Sequence, residues 1–371
     1  MSSGSGTTDV NEIPGHDVHW LRRVLGGIIM VEQSGYHLSI FGQVAAYRHL
    51  FRARVRPAGG AVVITGCDSG LGFSLALHAQ RQGFTVFAGV LQPQGAGARR
   101  LAEQRGGPPV RLLPLDVTDR DSVRAAVAAV EHALSEEHGL WFHALVNNAG
   151  VMVFGEFEWQ TEAQLRHQLE VNLLGTMRVT HAFCPLLRKY AGRVVTVSSH
   201  CTQVSLPGVA VYGATKAGVA AWSDALRVEL AKFGVRVVQV LPGSFFAHSG
   251  ILARQQQHAA EMEEAMTDEQ RQFYGEYFKR YQAYLRPLGD ACACSAESPS
   301  AVPDAGINDA LDSALALVSP QAVYERAPLR YRVYHTLCRF SPSTTLRDAL
   351  VRRFVGLPSW KLRTPSANYT T

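Results

Sequence analysis

Two ionisable residues, Tyr212 and Lys216, lie four positions apart in the apolar stretch VYGATKAGVAAWSDALRVEL. Positions i and i+4 share one face of an α-helix, so the lysine ammonium can approach the tyrosine hydroxyl. A nearby positive charge favours the phenolate and lowers the tyrosine pKa from its usual value of about 10. The pair therefore predicts a general acid or base, although an isolated pair with this spacing is also typical of an ordinary surface helix.

The elements that must position this pair follow a regular pattern from residue 61 onward. Apolar runs, AVVIT, FTVFAGV, VRLLPLDV, FHALVNNA, GRVVTVSS and VRVVQVLPG, alternate with segments of helical period that include 119–136, 161–190 and 211–233. Continuous apolar strands separated by helices are typical of a parallel sheet covered on both faces. The sequence predicts an α/β fold: a Rossmann-type doubly wound parallel sheet in a single domain with N- and C-terminal extensions.

The first strand leads into a glycine-rich turn, TGCDSGLG at residues 65–72, and then into a helix predicted from about Phe73 to Gln82. Gly66 permits a tight turn, Gly70 lets the backbone approach a phosphate, and Gly72 allows close packing. The first N–H groups of the helix would then face a pyrophosphate. Such a turn alone also fits an ordinary connection, but its place between a buried strand and a helix favours a dinucleotide site.

The glycine spacing resembles that of the short-chain dehydrogenase/reductase family, and the resemblance extends over about residues 60 to 320. Asp116 in LDVT matches the position that meets the adenine amino group, and NNAG at 147–150 matches the motif that shapes the cofactor pocket. Pro242 and Gly243 follow the sixth strand as in the family. The resemblance implies these cofactor-binding residues: Gly66, Asp68, Gly70, Leu71, Gly72, Asp116, Val117, Asn148, Ala149, Gly150, Tyr212, Lys216, Pro242 and Gly243.

The resemblance also implies four catalytic residues, Asn172, Ser199, Tyr212 and Lys216, in an NAD(P)-dependent oxidoreductase that acts on CH–OH donors. Ser199 precedes Tyr212 by 13 positions, the family's usual interval, and is preferred to Ser198 for that reason. Tyr212 would accept the proton in alcohol oxidation and donate it in carbonyl reduction, while hydride passes between carbinol carbon and nicotinamide. Ser199 would hydrogen-bond the substrate oxygen, Lys216 would hold the nicotinamide ribose, and Asn172 would support a proton path.

The choice of cofactor depends on two positions near the adenosine ribose. The second strand ends in FAGVLQPQ, without the acidic residue that usually binds this ribose. Asp68 lies where NADP-dependent relatives often have a basic residue, and its carboxylate would repel a 2′-phosphate. We expect NAD rather than NADP. The turn and second strand resemble the branch containing 17β-hydroxysteroid dehydrogenase type 2, retinol dehydrogenases and D-3-hydroxybutyrate dehydrogenase, whose members mostly use NAD.

Substrate recognition is expected within a lid at 244–290, which is rich in aromatic residues: Phe245, Phe246, Phe273, Tyr274, Tyr277, Phe278, Tyr281 and Tyr284. These suit a bulky apolar alcohol, such as a hydroxysteroid or a retinoid, but their helical spacing equally suits packing of a lid helix. A small hydroxy acid would instead need a cationic or amide group, and Gln203, His248 and Arg254 are candidates. A catalytically silent cofactor-binding regulatory protein is a further alternative, but it would be expected to lack a catalytic residue.

Composition limits the other classes of partner. The 371 residues are 47% hydrophobic and 18% charged, with a net charge of +5, which fits a large buried core and gives no sign of nucleic-acid binding. Neither the cysteines nor the histidines have metal-ligand spacing, so no metal is expected, and Cys292 and Cys294 are predicted to lie in a flexible loop. Scattered cysteines indicate reduced intracellular thiols. His200 is expected to be a partly exposed loop residue, with a place in the pocket wall as the alternative.

The sequence divides into four parts: a disordered tail at 1–20, a basic amphipathic extension at 21–57, the dehydrogenase domain at 58–320, and a basic C-terminal extension at 321–371. Either basic segment could lie on a membrane surface or pack against the body of the protein. The family resemblance implies a homo-oligomer. Peripheral contact with the endoplasmic reticulum membrane, or a mitochondrial location, is also expected from the resemblance.

Overall fold

Seven parallel strands form one sheet. A computed structural model describes residues 53–243 and 249–360. The strands are β1 (Gly60–Ile64), β2 (Thr85–Val90), β3 (Arg111–Pro114), β4 (Trp141–Asn147), β5 (Arg193–Val197), β6 (Arg236–Pro242) and β7 (Val323–Arg326). Their order is β3-β2-β1-β4-β5-β6-β7, and every neighbouring pair is parallel. The predicted Rossmann-type doubly wound α/β fold is confirmed, and the six predicted runs are its first six strands.

Helices connect and cover these strands. The α-helices of the described residues are α1 (Gly70–Arg81), α2 (Ala96–Ala102), α3 (Arg120–Glu136), α4 (Glu162–Leu169), α5 (Thr176–Lys189), α6 (Ala210–Ala231), α7 (Gln255–Ala265), α8 (Asp268–Glu297), α9 (Ala305–Ala316), α10 (Leu329–Arg339) and α11 (Thr344–Val355). The predicted helical segment 161–190 contains α4 and α5, which are joined by a π-helical turn at Glu170–Gly175.

The sheet is buried on both faces, and this burial explains why its strands read as continuous apolar runs. Val62 and Ile64 of β1 belong to a core shared with α1 and α9, whereas Ala61 and Val63 belong to a core shared with α3 and α5. Full burial of an aliphatic side chain contributes about 1.5–3 kcal/mol, so each strand stabilises both layers. The central strands are thereby packed on both faces as far as their C-terminal ends.

The sheet continues beyond residue 320, because β7 pairs in parallel with β6. The region predicted as a C-terminal extension thus begins with a sheet strand and continues in α10 and α11. The unit that carries this fold begins at Arg54. The predicted tail, most of the predicted N-terminal extension, Phe245, Phe246 and His248 lie outside the described residues. In the described part of the chain, none of the helices combines the length and the apolar character needed to cross a bilayer.

The aromatic residues of α8 pack around Trp159, which is buried on a short 3-10 turn. The rings of Tyr277, Phe278 and Tyr281 lie 5.5, 5.1 and 5.1 Å from the Trp159 ring, all edge to face. Edge-to-face aromatic pairs add about 0.5–1.5 kcal/mol beyond the area that they bury. The helical spacing of these three aromatic residues therefore reflects packing of the lid helix and not a substrate surface.

Cys292 and Cys294 lie near the C-terminal end of α8, and Cys292 is buried. The prediction of a flexible loop there is wrong, because α8 continues past Pro287 and carries Cys292 into the apolar cluster around Leu252 and Leu285. The Ser-, Pro- and Ala-rich composition after residue 290 concealed this helix.

Replacement of Trp159 by alanine is expected to lower the free energy of unfolding by about 3–5 kcal/mol, since the ring fills the centre of the aromatic cluster. Phe157→Ala is the matched control on the same 3-10 turn, because Phe157 is 63% exposed. Urea unfolding followed by circular dichroism measures both variants. Equal losses of stability would contradict the central position of Trp159.

Candidate active site

Asn172 connects the loop after β4 to α6. It is buried in the π-helical turn Glu170–Gly175, a distortion that occurs frequently at functional sites. Its Nδ2 donates to the Val151 carbonyl at 2.9 Å and to Thr215 Oγ1 at 3.1 Å, and its Oδ1 accepts from the Val151 amide at 2.8 Å. Thr215 in turn donates to the Tyr212 carbonyl at 2.7 Å. One side chain therefore links α6 to the loop after β4.

Ser199, Tyr212 and Lys216 meet beyond the C-terminal end of β5, and all three are buried. The Ser199 hydroxyl hydrogen-bonds the Tyr212 hydroxyl and accepts from the Cys201 amide at 3.2 Å. Lys216 Nζ lies 5.8 Å from the centroid of the Tyr212 ring and donates to the Val197 carbonyl at 3.1 Å. The structure thus brings three of the four predicted catalytic side chains into one group.

Gly150 joins Asn172 to this group. A Cβ atom built on Gly150 would lie 3.4 Å from Asn172 Oδ1 and 3.5 Å from Lys216 Nζ. These are ordinary contact distances, so the last glycine of NNAG lies between the Asn172 side chain and the lysine ammonium. Gly150 therefore lies beside both Asn172 and Lys216, and Lys216 links Asn172 to Ser199 and Tyr212.

Burial controls the ionisation of Tyr212 and Lys216. Desolvation, followed by the nearby Cys201 thiol, raises the pKa of Tyr212, and the hydrogen bond with Ser199 lowers it only in part. Desolvation lowers the pKa of Lys216 to about 8. The prediction that Lys216 lowers the Tyr212 pKa is wrong in this structure, because both groups are removed from water and the neutral form of each is favoured. Tyr212 is consequently a phenol at neutral pH, the form that donates a proton.

The glycine turn after β1 packs tightly against the loop after β4. Gly66 and Gly70 have φ angles of +70° and +61°, which favour glycine. A Cβ atom on Gly72 would lie 2.1 Å from the Gly66 carbonyl oxygen. Asn148 Nδ2 donates to the carbonyls of Thr65 and Gly66 at 2.9 and 3.0 Å. The NNAG motif therefore holds the turn in the shape that its glycines permit.

The N-terminus of α1 fits a pyrophosphate. Ser69 precedes the helix without a side-chain capping hydrogen bond, and the first turn contains no acidic residue. The first N–H groups of a helix have no intrahelical partner and attract anions. Because Gly70 and Gly72 also leave no side chains over these N–H groups, the turn suits the diphosphate of a nicotinamide dinucleotide.

Two carboxylates are fixed beside the C-terminal ends of β2 and β3. Asp68 accepts from the amides of Leu91 and Gln92, each at 2.9 Å, so its carboxylate lies beside the end of β2. Asp116 accepts from the amide and the hydroxyl of Thr118 at 2.8 and 2.7 Å. Asp68 of the glycine turn therefore brings a carboxylate to the end of β2, whose own sequence has none.

A cavity of about 930 Å³ contains both halves of the site. Ser199 lines it together with every predicted cofactor-binding residue except Gly70. Asn172 also lies behind the wall. Gly70 and Asn172 therefore act on the backbone that shapes the cavity, whereas the other predicted residues face its interior.

His200 belongs to the wall of this cavity. The expectation of a partly exposed loop residue is wrong, because α10 covers His200, whose ring lies 4.6 Å from the Tyr331 ring and 5.8 Å from the His335 ring. Burial lowers the pKa of His200 to about 4, so the imidazole is neutral at physiological pH. Gln203 does not line the cavity and donates instead to Glu325 at 3.1 Å.

The substrate end of the cavity includes residues that sequence reasoning missed. They are Met152, Phe154, His167, Cys201, Leu206, Val209, Ile251, His258, Leu288, Arg330, Tyr331, Arg353, Phe354 and Val355. Of the aromatic residues of the lid that the structure describes, Tyr284 alone lines this cavity. The available signal was the alternation of arginine with aromatic and apolar residues after residue 320, which indicates helices with one buried face.

Comparison with known proteins identifies the family. A family model described as short chain dehydrogenase matches residues 60–259. The chain belongs to this family. As a short-chain dehydrogenase it is an NAD(P)-dependent oxidoreductase that acts on CH–OH groups, as the resemblance of its motifs implied.

Three curated relatives place this short-chain dehydrogenase in the predicted branch. It is 38% identical to the rat mitochondrial D-beta-hydroxybutyrate dehydrogenase over 279 residues, 74% of this chain and 78% of the relative. It is 43% identical to rat estradiol 17-beta-dehydrogenase 2 over 188 residues, 50% of this chain and 48% of the relative. It is 36% identical to mouse retinol dehydrogenase 16 over 292 residues, 78% of this chain and 87% of the relative.

A solved structure supports the fold. The crystal structure of a short chain dehydrogenase from Burkholderia cenocepacia in complex with NADP superposes with a TM-score of 0.53 at 23% identity. The match covers 80% of this chain and 99% of that chain. At this identity the likeness supports the shared fold.

The burial of Lys216 is expected to lower the free energy of unfolding. The pKa of Lys216 is about 8 in the folded protein, below its usual value of 10.5. Above about pH 10.5 the amine is neutral in both states and its charge does not oppose folding. This stability is lost as the pH falls through about 8, because the folded protein must then bury the ammonium. Lys216→Met is therefore expected to be more stable than the native chain by about 1 kcal/mol or more at pH 7, and by less at pH 10.

Denaturant unfolding of both proteins at the two pH values measures this difference. A substitution with the same effect at pH 7 and at pH 10 would contradict a lowered Lys216 pKa. Lys189→Met, at the exposed end of α5, controls for the general loss of a positive charge.

Proposed function

We propose that this short-chain dehydrogenase uses NAD to interconvert a lipid alcohol, of the hydroxysteroid or retinoid type, and its carbonyl compound. The supporting observation is that Ser199, Tyr212 and Lys216 line the same cavity as the glycine turn and the end of β2. Proton transfer and cofactor binding can therefore take place side by side. A catalytically silent cofactor-binding protein would not need Ser199, Tyr212 and Lys216 together in the cavity of the glycine turn.

Each catalytic residue has a role that its contacts support. A bound nicotinamide cofactor supplies hydride exchange with the carbinol carbon. Tyr212 donates the proton to the carbonyl oxygen in reduction and accepts it in oxidation, and Ser199 hydrogen-bonds the same oxygen. Lys216 uses one donor for the Val197 carbonyl and retains two for the cofactor ribose. Asn172 positions α6 and supports the proton path behind Lys216.

The preference for NAD is supported by Asp68. Its two oxygens accept from backbone amides at the end of β2, so the carboxylate is held where the adenosine ribose binds in doubly wound dehydrogenases. A ribose hydroxyl can donate to a carboxylate, whereas a 2′-phosphate is repelled by it. NADP is therefore the weaker cofactor in this proposal.

A lipid substrate is supported by the apolar wall beside Tyr212, which includes Met152, Phe154, Leu206, Val209, Ile251 and Leu288. Such a wall suits a bulky skeleton. A D-3-hydroxybutyrate-type activity on a small hydroxy acid is the alternative, and Arg254 in the cavity wall is the observation that favours it.

Peripheral membrane contact is part of the proposal, at the endoplasmic reticulum or in the mitochondrion. Leu329, Val333, Leu337 and Phe340 follow one another at helical spacing along α10 and are 71%, 51%, 51% and 76% exposed. Apolar side chains flanked by arginines are typical of helices that lie in a membrane interface. If the protein stayed in the supernatant when phosphatidylserine vesicles were sedimented, this contact would be refuted.

A homo-oligomer is proposed from the family resemblance alone. Light scattering on the purified full-length chain measures its mass in solution. A mass of a single 40.5 kDa chain at working concentration would refute the oligomer.

The proposed activity is tested by absorbance of the reduced nicotinamide. Purified protein receives NAD or NADP with estradiol, testosterone, retinol or D-3-hydroxybutyrate. We expect turnover of a lipid alcohol with NAD, and a loss of about 10²–10⁴-fold in Tyr212→Phe, because the proton-transfer group is removed. Tyr190→Phe, at the C-terminal end of α5, is the matched control.

Each other outcome has a definite meaning. Turnover of D-3-hydroxybutyrate alone would replace the lipid alcohol with the small hydroxy acid. Tight cofactor binding without turnover of any of these alcohols would favour the silent binding protein.

Neutralisation of Asp68 is expected to relax the cofactor preference. Asp68→Asn removes the charge that opposes a 2′-phosphate and keeps one of the two oxygens that accept from the amides of Leu91 and Gln92, so affinity for NADP should rise about tenfold relative to NAD. Fluorescence titration with NADH and NADPH measures this ratio, and Asp121→Asn, an exposed residue of α3, is the control. An unchanged ratio in Asp68→Asn would refute the role of this carboxylate.

A further inference from the structure

The substrate end of the cavity is lined by three arginines from three separate elements. Arg254 immediately precedes α7, Arg330 lies in the first turn of α10, and Arg353 lies in the last turn of α11. Among the described residues that line the cavity, the only carboxylates are those of Asp68 and Asp116, at the adenosine end. The charge of the wall is therefore divided, with acids at the cofactor end and cations at the substrate end.

None of these three guanidinium groups forms an ion pair with a carboxylate within residues 53–243 and 249–360, and only Arg254 has a carboxylate, that of Glu261, close enough to lower the pKa of that acid. Arg254 donates to Gln257 Oε1 at 3.0 Å, and Arg330 lies over the Tyr331 ring at 5.1 Å. Other arginines are paired, such as Arg111 with Glu137. Guanidinium groups bind carboxylate, sulfate and phosphate with several parallel hydrogen bonds, so those that share an open cavity favour an anion.

The depth of the cavity separates this charge from the reacting group. Tyr212 is only 7% exposed, whereas Arg254, Arg330 and Arg353 are exposed at the surface. Much of the remaining substrate end is apolar, with Phe354 contributed by α11 beside Arg353. A substrate whose alcohol reaches Tyr212 therefore places an apolar skeleton in the cavity and its far end near the arginines.

We infer that the substrate is an amphipathic acid: an alcohol or ketone on an apolar skeleton, with a carboxylate, sulfate or phosphate group that Arg330 and Arg353 bind at the cavity mouth. This inference rests on the proposed function, because it concerns the substrate of the same site. Estradiol and retinol carry no anionic group, and hydroxybutyrate has no extended apolar skeleton. The C-terminal helices α10 and α11 thereby determine specificity.

The test compares anionic and neutral substrates that share a skeleton. Estradiol 3-sulfate is compared with estradiol, and 12-hydroxystearate with its methyl ester, each with NAD in lipid-free solution. In at least one pair we expect kcat/KM of the anionic member to exceed that of the neutral member about tenfold, as expected for a charge-assisted contact. Equal kcat/KM within both pairs would overturn the inference while leaving the proposed lipid-alcohol activity intact.

Adjacent arginines provide the matched variants. Arg352 and Arg353 are both exposed on α11, but only Arg353 lines the cavity. Arg353→Gln is expected to raise the KM of the anionic substrate about fivefold while leaving its kcat and the KM of the neutral partner unchanged, and Arg352→Gln should change neither. If the two variants behaved alike, the inference would be wrong.

Phospholipid head groups offer the same anionic chemistry and are distinguished by vesicle binding. If the arginines bound head groups alone, Arg353→Gln and Arg352→Gln would weaken sedimentation with phosphatidylserine vesicles equally. Neither variant would then change the preference for the anionic substrate. This result would overturn the inference. If no alcohol were turned over, the proposed function would fail, and equilibrium dialysis with estradiol 3-sulfate would still decide the anion site. Binding lost in Arg353→Gln but retained in Arg352→Gln would support it, and any other result would overturn it.

Discussion

The hydrogen bond from the Lys216 ammonium to the Val197 carbonyl holds an ionisable group inside the protein, and the geometry of the site depends on it. The bond joins α6 to the end of β5, and the neighbouring hydroxyls of Tyr212 and Ser199 take their positions from the same two elements. Burial of a cation is costly unless polar partners remain, so this arrangement is unfavourable for stability. It is favourable for chemistry, because the desolvated groups titrate far from their usual ranges.

A second close contact positions the glycine turn, the cofactor half of the site, relative to Ser199, Tyr212 and Lys216. Gly72 approaches the Gly66 carbonyl so closely that no side chain fits, and Asn148 holds this turn from the neighbouring strand. Since β1 and β4 are adjacent in the sheet, the turn after β1 and the loop after β4 share one edge with Ser199 after β5. The strand order therefore places cofactor binding beside proton transfer, without any long-range adjustment of the chain.

Much of the fold and of the candidate site could be predicted from the sequence, because the patterns that determine them are local. Continuous apolar runs and period-3.6 patterns located the strands and helices, and the glycine turn, NNAG and the Tyr212–Lys216 spacing located the site. The burial of His200 could not be predicted, since α10 covers it from more than 120 residues away in sequence. The Tyr212 pKa was predicted in the wrong direction, because helical spacing reveals which charges are neighbours but not how much water they lose.

The pH dependence of carbonyl reduction tests the role of Tyr212 most directly. With a buried phenol as the acid, kcat/KM for reduction with NADH should be constant through roughly pH 6–7 and should fall as the pH rises above about 8, where Lys216 loses its charge. If a histidine such as His258 in the cavity wall were the acid, kcat/KM would instead decrease as the pH rises through about 6.5 or a lower value, because burial lowers the pKa of His258 from its ordinary value. A decline in that lower range that persisted in Tyr212→Phe would contradict proton donation by Tyr212.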